Sequence, residues 1–255
     1  MALIHSFEKS GNWLFRHRGI VPVFVFLLSS PIFFFTAPIA RYESCSLVCV
    51  VTITIIAVLI SLAGMAVRAY TIGTTPSGTS GRNTEKQRAE QLNTKGIYSI
   101  VRHPLYLGNY LMWLGLLIFM MDLPFLIAVS LMYWLYYERI MYAEEKFLEG
   151  KFGQTYLDWS LTVPAFIPQF KQFEKGDIPF HFRSVLRREY PGFMAITLCF
   201  TAVDYLRTFL VSAPTAFSDW VRPSGIICLI VAIIVLILRY LKHNSPILAA
   251  EKNRD

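Results

Sequence analysis

Charge is scarce in this chain: 16% of its 255 residues are Asp, Glu, Lys or Arg, where soluble domains carry about 25%. Water is a poor solvent for such a sequence, the more so because 55% of it is hydrophobic and its mean hydropathy is +0.46. Cysteine is scarce too. Cys45, Cys49, Cys199 and Cys228 lie in apolar stretches with no CxxC pair and no histidine cluster beside them. They read as small core residues, and neither a metal site nor a redox role is expected. The glycine-rich strand-to-helix fingerprint of soluble nucleotide folds is missing, and no internal repeat is visible.

What the sequence does have is long apolar runs. A helix needs about 17–25 apolar residues to cross a bilayer, and Ile20–Ala40, Leu47–Ala69, Pro191–Leu210 and Ser224–Leu241 qualify. Arg16 and Arg18 precede the first run as a charged region precedes a signal sequence. The run nevertheless exceeds the roughly 7–15 residues of such a segment and is read as a retained span with kinks at its prolines. A shorter pair, Leu105–Met121 and Leu123–Tyr137, is separated by Asp122 and followed by Pro124, which predicts a helical hairpin with a tight turn. Residues Thr71–Arg82, rich in Gly, Ser and Thr, predict a loop. The expected fold is therefore all-α, a polytopic bundle of about six spans. Its expected organisation is an N-terminal membrane part (1–90), a core (91–170) and a C-terminal pair of membrane helices (171–255).

Lysine and arginine near the spans assign orientation. The N-terminus, the second and fourth connections and the C-terminus hold 21 of the 24; only Arg41, Arg207 and Arg222 lie on the other side. Both termini and the long polar connections are thus expected in the cytoplasm. The net charge of +7 is explained by topology, which makes nucleic acid the poorer account and leaves attraction to anionic headgroups open.

Polar residues concentrate at the open end of the hairpin. Pro104 suits a helix N-terminus, whose free amides favour an anionic group, and Arg102 and His103 stand beside it; an interfacial Arg/His/Tyr anchor is the equally simple reading. Past the second hairpin helix, Glu138, Tyr142, Glu145 and Glu149 follow 4, 3, 4 spacing and share one helical face. That face is either a cation site or a solvated extension in which the glutamates balance Lys146 and Arg139. Asp204 and Arg207, inside the fifth span, are costly there unless paired, and their i, i+3 spacing predicts an ion pair with each other.

The stretch Gly96-x-Tyr98-x3-Arg102-His103-Pro104-x-Tyr106-x-Gly108 is followed by Glu144-Glu145, Phe147-Leu148, Phe152-Gly153, Tyr156 and Val163-Pro164. Together they resemble the isoprenylcysteine carboxyl methyltransferase family and its relative, phosphatidylethanolamine N-methyltransferase, over roughly a third of the chain. The resemblance implies a membrane methyltransferase that uses S-adenosylmethionine on a lipid or lipid-linked acceptor at the cytoplasmic face. It implies cofactor contacts from Tyr98, Arg102, His103, Pro104, Leu105, Tyr106, Gly108, Glu144 and Glu145; Glu145 and, from its place on the helical face, Arg139 are the catalytic candidates. One departure concerns the acceptor: Thr162 stands where the prenylcysteine enzymes commonly carry an arginine before Val-Pro. The acceptor group is accordingly open between a carboxylate met by Arg139, an amine and a phosphate. Two other functions are weighed: an NADPH-dependent sterol or steroid reductase, which shares the RHPxYxG hairpin but tends to have Asp-Glu in place of Glu144-Glu145, and a non-catalytic membrane scaffold or carrier.

Overall fold

A computed structural model describes residues 3–36, 42–76, 87, 89–212, 216, 218 and 221–248. Among these the only β pairing is an isolated bridge between Gly96 and Glu174; the rest is helix and connection. The helices are α1 (Leu3–Arg16), α2 (Val21–Phe35), α3 (Leu47–Thr74), α4 (Pro104–Phe119), α5 (Leu123–Phe152), α6 (Gln154–Thr162), α7 (Phe182–Ser212) and α8 (Pro223–Asn244).

Helices α3, α7 and α8 are long and apolar enough to span a membrane, and only 17, 11 and 6% of their apolar windows are buried. Apolar faces left this open require lipid rather than water. Counting α1 and α2, which meet at a 98° bend, as one broken span gives four. By length and composition, three or four candidate spans are found among the described residues, and the expected count of six is not confirmed. The 16 residues of α4 rise about 24 Å at 1.5 Å each, less than the roughly 30 Å hydrocarbon layer. The charged residues of α5 all lie in its C-terminal half, from Glu138 to Lys151. Residues 37–40 of the first expected span, with Pro38, and residues 77–82 of the expected loop lie outside the described residues.

Two boundaries differ from expectation. Helix α3 runs on to Thr74, past the expected loop start. Helix α7 begins at Phe182 and carries Pro191 inside it; the two turns Arg183–Tyr190 that precede the proline bury Val185 and Glu189.

The tight turn is held from three sides. Met121 takes a left-handed backbone, φ 56°, uncommon for a residue with a Cβ. Asp122 caps α5 by accepting from the Phe125 amide at 2.8 Å, and Thr36 donates to the same carboxylate. Tyr42 donates to the Met120 carbonyl at 2.7 Å. Arg207 donates to the Phe119 carbonyl and lies over the Tyr42 and Phe119 rings. Arg207 therefore does not pair with Asp204 as its spacing predicts. Asp204 instead takes both prongs of Arg222, at 2.8 and 2.9 Å, and the Ser224 hydroxyl at 2.6 Å. A bidentate fork satisfies the carboxylate better than one strand of an i, i+3 contact.

Candidate active site

The polypeptide enters α4 through a short extended segment stitched to the chain after α6. The Arg102 amide donates to the Pro164 carbonyl at 2.9 Å, that of His103 to Ala165 at 3.1 Å, and that of Gln169 to Ile100 at 2.9 Å. The Val163-Pro164 element thereby fixes the Arg102-His103 backbone. Pro104 takes the first helical position, where its missing N–H costs nothing. The Tyr106 and Leu107 amides both donate to the His103 carbonyl at 3.1 Å, so these two of the first-turn amides expected for an anion are engaged at the helix start.

His103 occupies the N-cap position without capping by its side chain, which leaves the imidazole to reach α5. Its Nε2 lies 2.9 Å from Glu145 Oε1 and its Nδ1 3.6 Å from Glu144 Oε2. Arg102 Nη2 lies 3.2 Å from the same Glu145 oxygen, while Arg102 Nη1 donates to the Ser160 carbonyl at 3.0 Å. The Tyr106 hydroxyl donates to Glu144 at 2.6 Å, and Arg18 Nη1 approaches that carboxylate at 3.9 Å. Burial by itself would lower the His103 pKa; hydrogen bonds and charge from Glu144 and Glu145 outweigh it and hold the imidazole above its ordinary value. Burial would likewise raise Glu145, but His103 and then Arg102 hold it below the usual carboxylate range. Tyr156 interacts electrostatically with Glu145, though its hydroxyl falls short of hydrogen-bond geometry.

The structure brings Arg102, His103, Tyr106, Glu144 and Glu145 together, with Pro104 buried and Leu105 half-buried at their base. Gly108 turns away. A Cβ there would stand 2.6 Å from Arg68 Cγ and 2.8 Å from the Gly64 carbonyl, so its lack of a side chain serves the close crossing of α3 and α4. Tyr98 lines a cavity of about 170 Å³ with Thr75, Asn93, Lys95 and Asp177, and it feels the Glu144 charge. Arg139 is not in the cluster: it donates to Ser10 at 3.1 Å and lies over the Phe7 ring, held by α1. The expected acidic face also divides, for Glu138 is exposed and Glu149 pairs with Lys146 at 2.8 Å. Sequence reasoning missed Arg18 and Ser160. In the sequence Arg18 reads only as a charge flanking the first apolar run, and no local signal marks Ser160, which contributes a carbonyl.

Acidic and basic groups within one hydrogen-bonded patch suit a zwitterionic ligand. Arg102 Nε and Trp159 Nε1 are buried without a partner, and Trp159 packs edge-on to Tyr156 at 5.8 Å. Such groups carry a desolvation cost that a bound polar molecule would relieve. The residues present therefore fit an amino-acid-bearing cofactor.

The sequence profile described as phospholipid methyltransferase matches residues 47–155. The protein-S-isoprenylcysteine O-methyltransferase of Schizosaccharomyces pombe is 31% identical over 85 residues, 33% of this chain and 36% of its own length. The corresponding B protein of Arabidopsis thaliana is 34% identical over 85 residues, covering 32% and 42%. A cobalt-zinc-cadmium resistance protein of Cupriavidus metallidurans is 33% identical over 82 residues, covering 32% and 38%. The chain thus matches 30–42% of the length of its curated relatives. No solved structure matches it.

Proposed function

We propose that this chain, a member of the isoprenylcysteine carboxyl methyltransferase and phosphatidylethanolamine N-methyltransferase-like family, transfers a methyl group from S-adenosylmethionine to a lipid or lipid-linked acceptor. The observation that carries this reading is the meeting of His103 with Glu144 and Glu145, side chains from the two arms of the hairpin. S-adenosylmethionine, when bound, supplies an electrophilic methyl on a sulfonium and needs little covalent help. The protein's share is to hold, to orient and to exclude water.

Glu144 and Glu145 are the groups to pair with the cofactor's ammonium and ribose hydroxyls. Glu145, kept ionised by His103 and Arg102, is the carboxylate to face the cationic donor. Arg18, Arg102 and His103 meet the cofactor carboxylate, and Tyr106 and Tyr98 offer aromatic faces for the adenine or sulfonium. The cluster sits where apolar helices give way to polar connections, so a soluble cofactor and a membrane-borne acceptor reach it from different sides. The lysine and arginine surplus supports placing this end and both termini in the cytoplasm. The Thr162 hydroxyl is bonded to the Trp159 carbonyl at 2.9 Å, so no cation stands at this position for an acceptor carboxylate.

Lipid mass spectrometry after deletion of the gene tests the acceptor: one species should appear lighter by a methyl group. Isothermal titration of the purified full chain tests the donor. Binding of S-adenosylmethionine and not NADPH is expected; NADPH binding alone would replace the reading with a reductase.

A further inference from the structure

The guanidinium of Arg68 lies within α3 with its side chain only 16% exposed. A charge at that depth requires a partner, and α7 provides one. Arg68 Nε donates to Glu189 Oε2 at 2.6 Å and Nη2 to Glu189 Oε1 at 2.7 Å, a two-pronged contact to a residue that is 4% exposed. The remaining nitrogen, Nη1, donates to Asn109 Oδ1 on α4 at 2.6 Å.

That third bond has a consequence for the amide. Arginine only donates, so the oxygen of Asn109 must face Arg68 and the nitrogen must point the other way. Asn109 Nδ2 accordingly donates to the Tyr137 hydroxyl on α5 at 3.1 Å. The Tyr137 ring stacks on Tyr133 at 4.2 Å and tilts against Tyr106 at 4.7 Å. The Tyr133 hydroxyl donates to the Tyr106 carbonyl at 2.9 Å, and Tyr106 donates to Glu144. Hydrogen bonds and ring contacts thus join α7 to Glu144.

We propose that Glu189 is a positioning residue: by fixing Arg68 it sets the direction of the Asn109 amide, and through Tyr137 and Tyr106 it sets the placement of Glu144. The C-terminal helices are then part of the working unit, and the inference rests on the reading of Glu144 and its neighbours as the cofactor site. Glu189 lies beyond the residues matched by the family profile, so this support is contributed by the chain's own extension.

The test separates positioning from simple stability. Exchanging the pair, Arg68→Glu with Glu189→Arg, keeps opposite charges in contact but puts an acceptor at position 68, which turns the Asn109 amide round, presents its oxygen to Tyr137 and forces the Tyr137 hydroxyl to reorient as donor. The exchanged full-length protein should recover the thermal midpoint lost in Glu189→Gln, yet bind S-adenosylmethionine at least tenfold more weakly than wild type. Recovery of both midpoint and affinity would overturn the proposal. Should the exchanged protein not fold, hydrogen exchange on Glu189→Gln decides: faster exchange confined to the 105–109 and 133–137 segments is expected, and uniform or unchanged exchange overturns it. If wild type does not bind S-adenosylmethionine at all, the cofactor reading falls, while the exchange pattern still decides whether Glu189 controls those segments.

Discussion

His103 Nε2 lies 2.9 Å from Glu145 Oε1, although the two residues are 42 positions apart. The contact joins the residue before α4 to the far extension of α5, so replacing either side chain should affect the site before the fold. Hydrogen bonds to charged groups are worth about 1.5–3 kcal/mol. His103→Ala and Glu145→Gln should therefore each weaken S-adenosylmethionine binding about 10- to 100-fold, measured by isothermal titration. Affinities within about twofold of wild type would remove the pair from the site.

The same pair makes stability depend on pH in two directions. His103 has its pKa raised from the ordinary 6.5, so its contribution is complete below that value and is lost as pH rises through the folded-state pKa. Glu145 has its pKa lowered from the ordinary 4.5, so its contribution is complete above that value and is lost as pH falls through the folded-state pKa. The gap in thermal midpoint between wild type and His103→Ala should be widest between pH 4.5 and 6.5 and narrow on either side. A gap that widens steadily with alkaline pH would contradict this.

Helix α1 docks on α5 at Gly11, where a Cβ would stand 2.1 Å from the Arg139 carbonyl oxygen and 2.8 Å from Ala143 Cβ. The obstacle is helix backbone, which cannot swing aside. Gly11→Val should destabilise by about 1–3 kcal/mol through overpacking, read from thermal unfolding. Because α1 delivers Arg18 to Glu144, cofactor affinity should fall with it. A variant as stable as wild type would show that α1 does not dock as described.

Asp204 takes Arg222 as its partner and not Arg207. A double-mutant cycle on stability should give a coupling of about 0.5–3 kcal/mol for Asp204 with Arg222, and a smaller one for Asp204 with Arg207. Arg207→Ala should still be the most damaging single change of the three, since it removes the donor to the α4 terminus and two ring contacts. The reverse order of couplings would restore the i, i+3 pair.

By itself the sequence determined the all-helical membrane architecture, the tight turn at Asp122 and the continuation of α5 past Tyr137. Apolar run length, a capping aspartate before Leu-Pro, and 4, 3, 4 spacing act within a turn or two of helix, so they can be read locally. The approach of Glu144 and Glu145 to the Arg102-His103 segment was open in the residues alone, between a cation site and a solvated extension, and the order of motifs in a known family favoured the site. Tertiary structure alone decided the partners. A 98° bend between α1 and α2 accompanies Arg18's approach to Glu144, α1 drew Arg139 away, and Arg68 met Glu189 across 121 positions. A charged side chain at the membrane takes whichever counter-group the packed helices bring nearest, and nothing in its own neighbourhood along the chain specifies which that is.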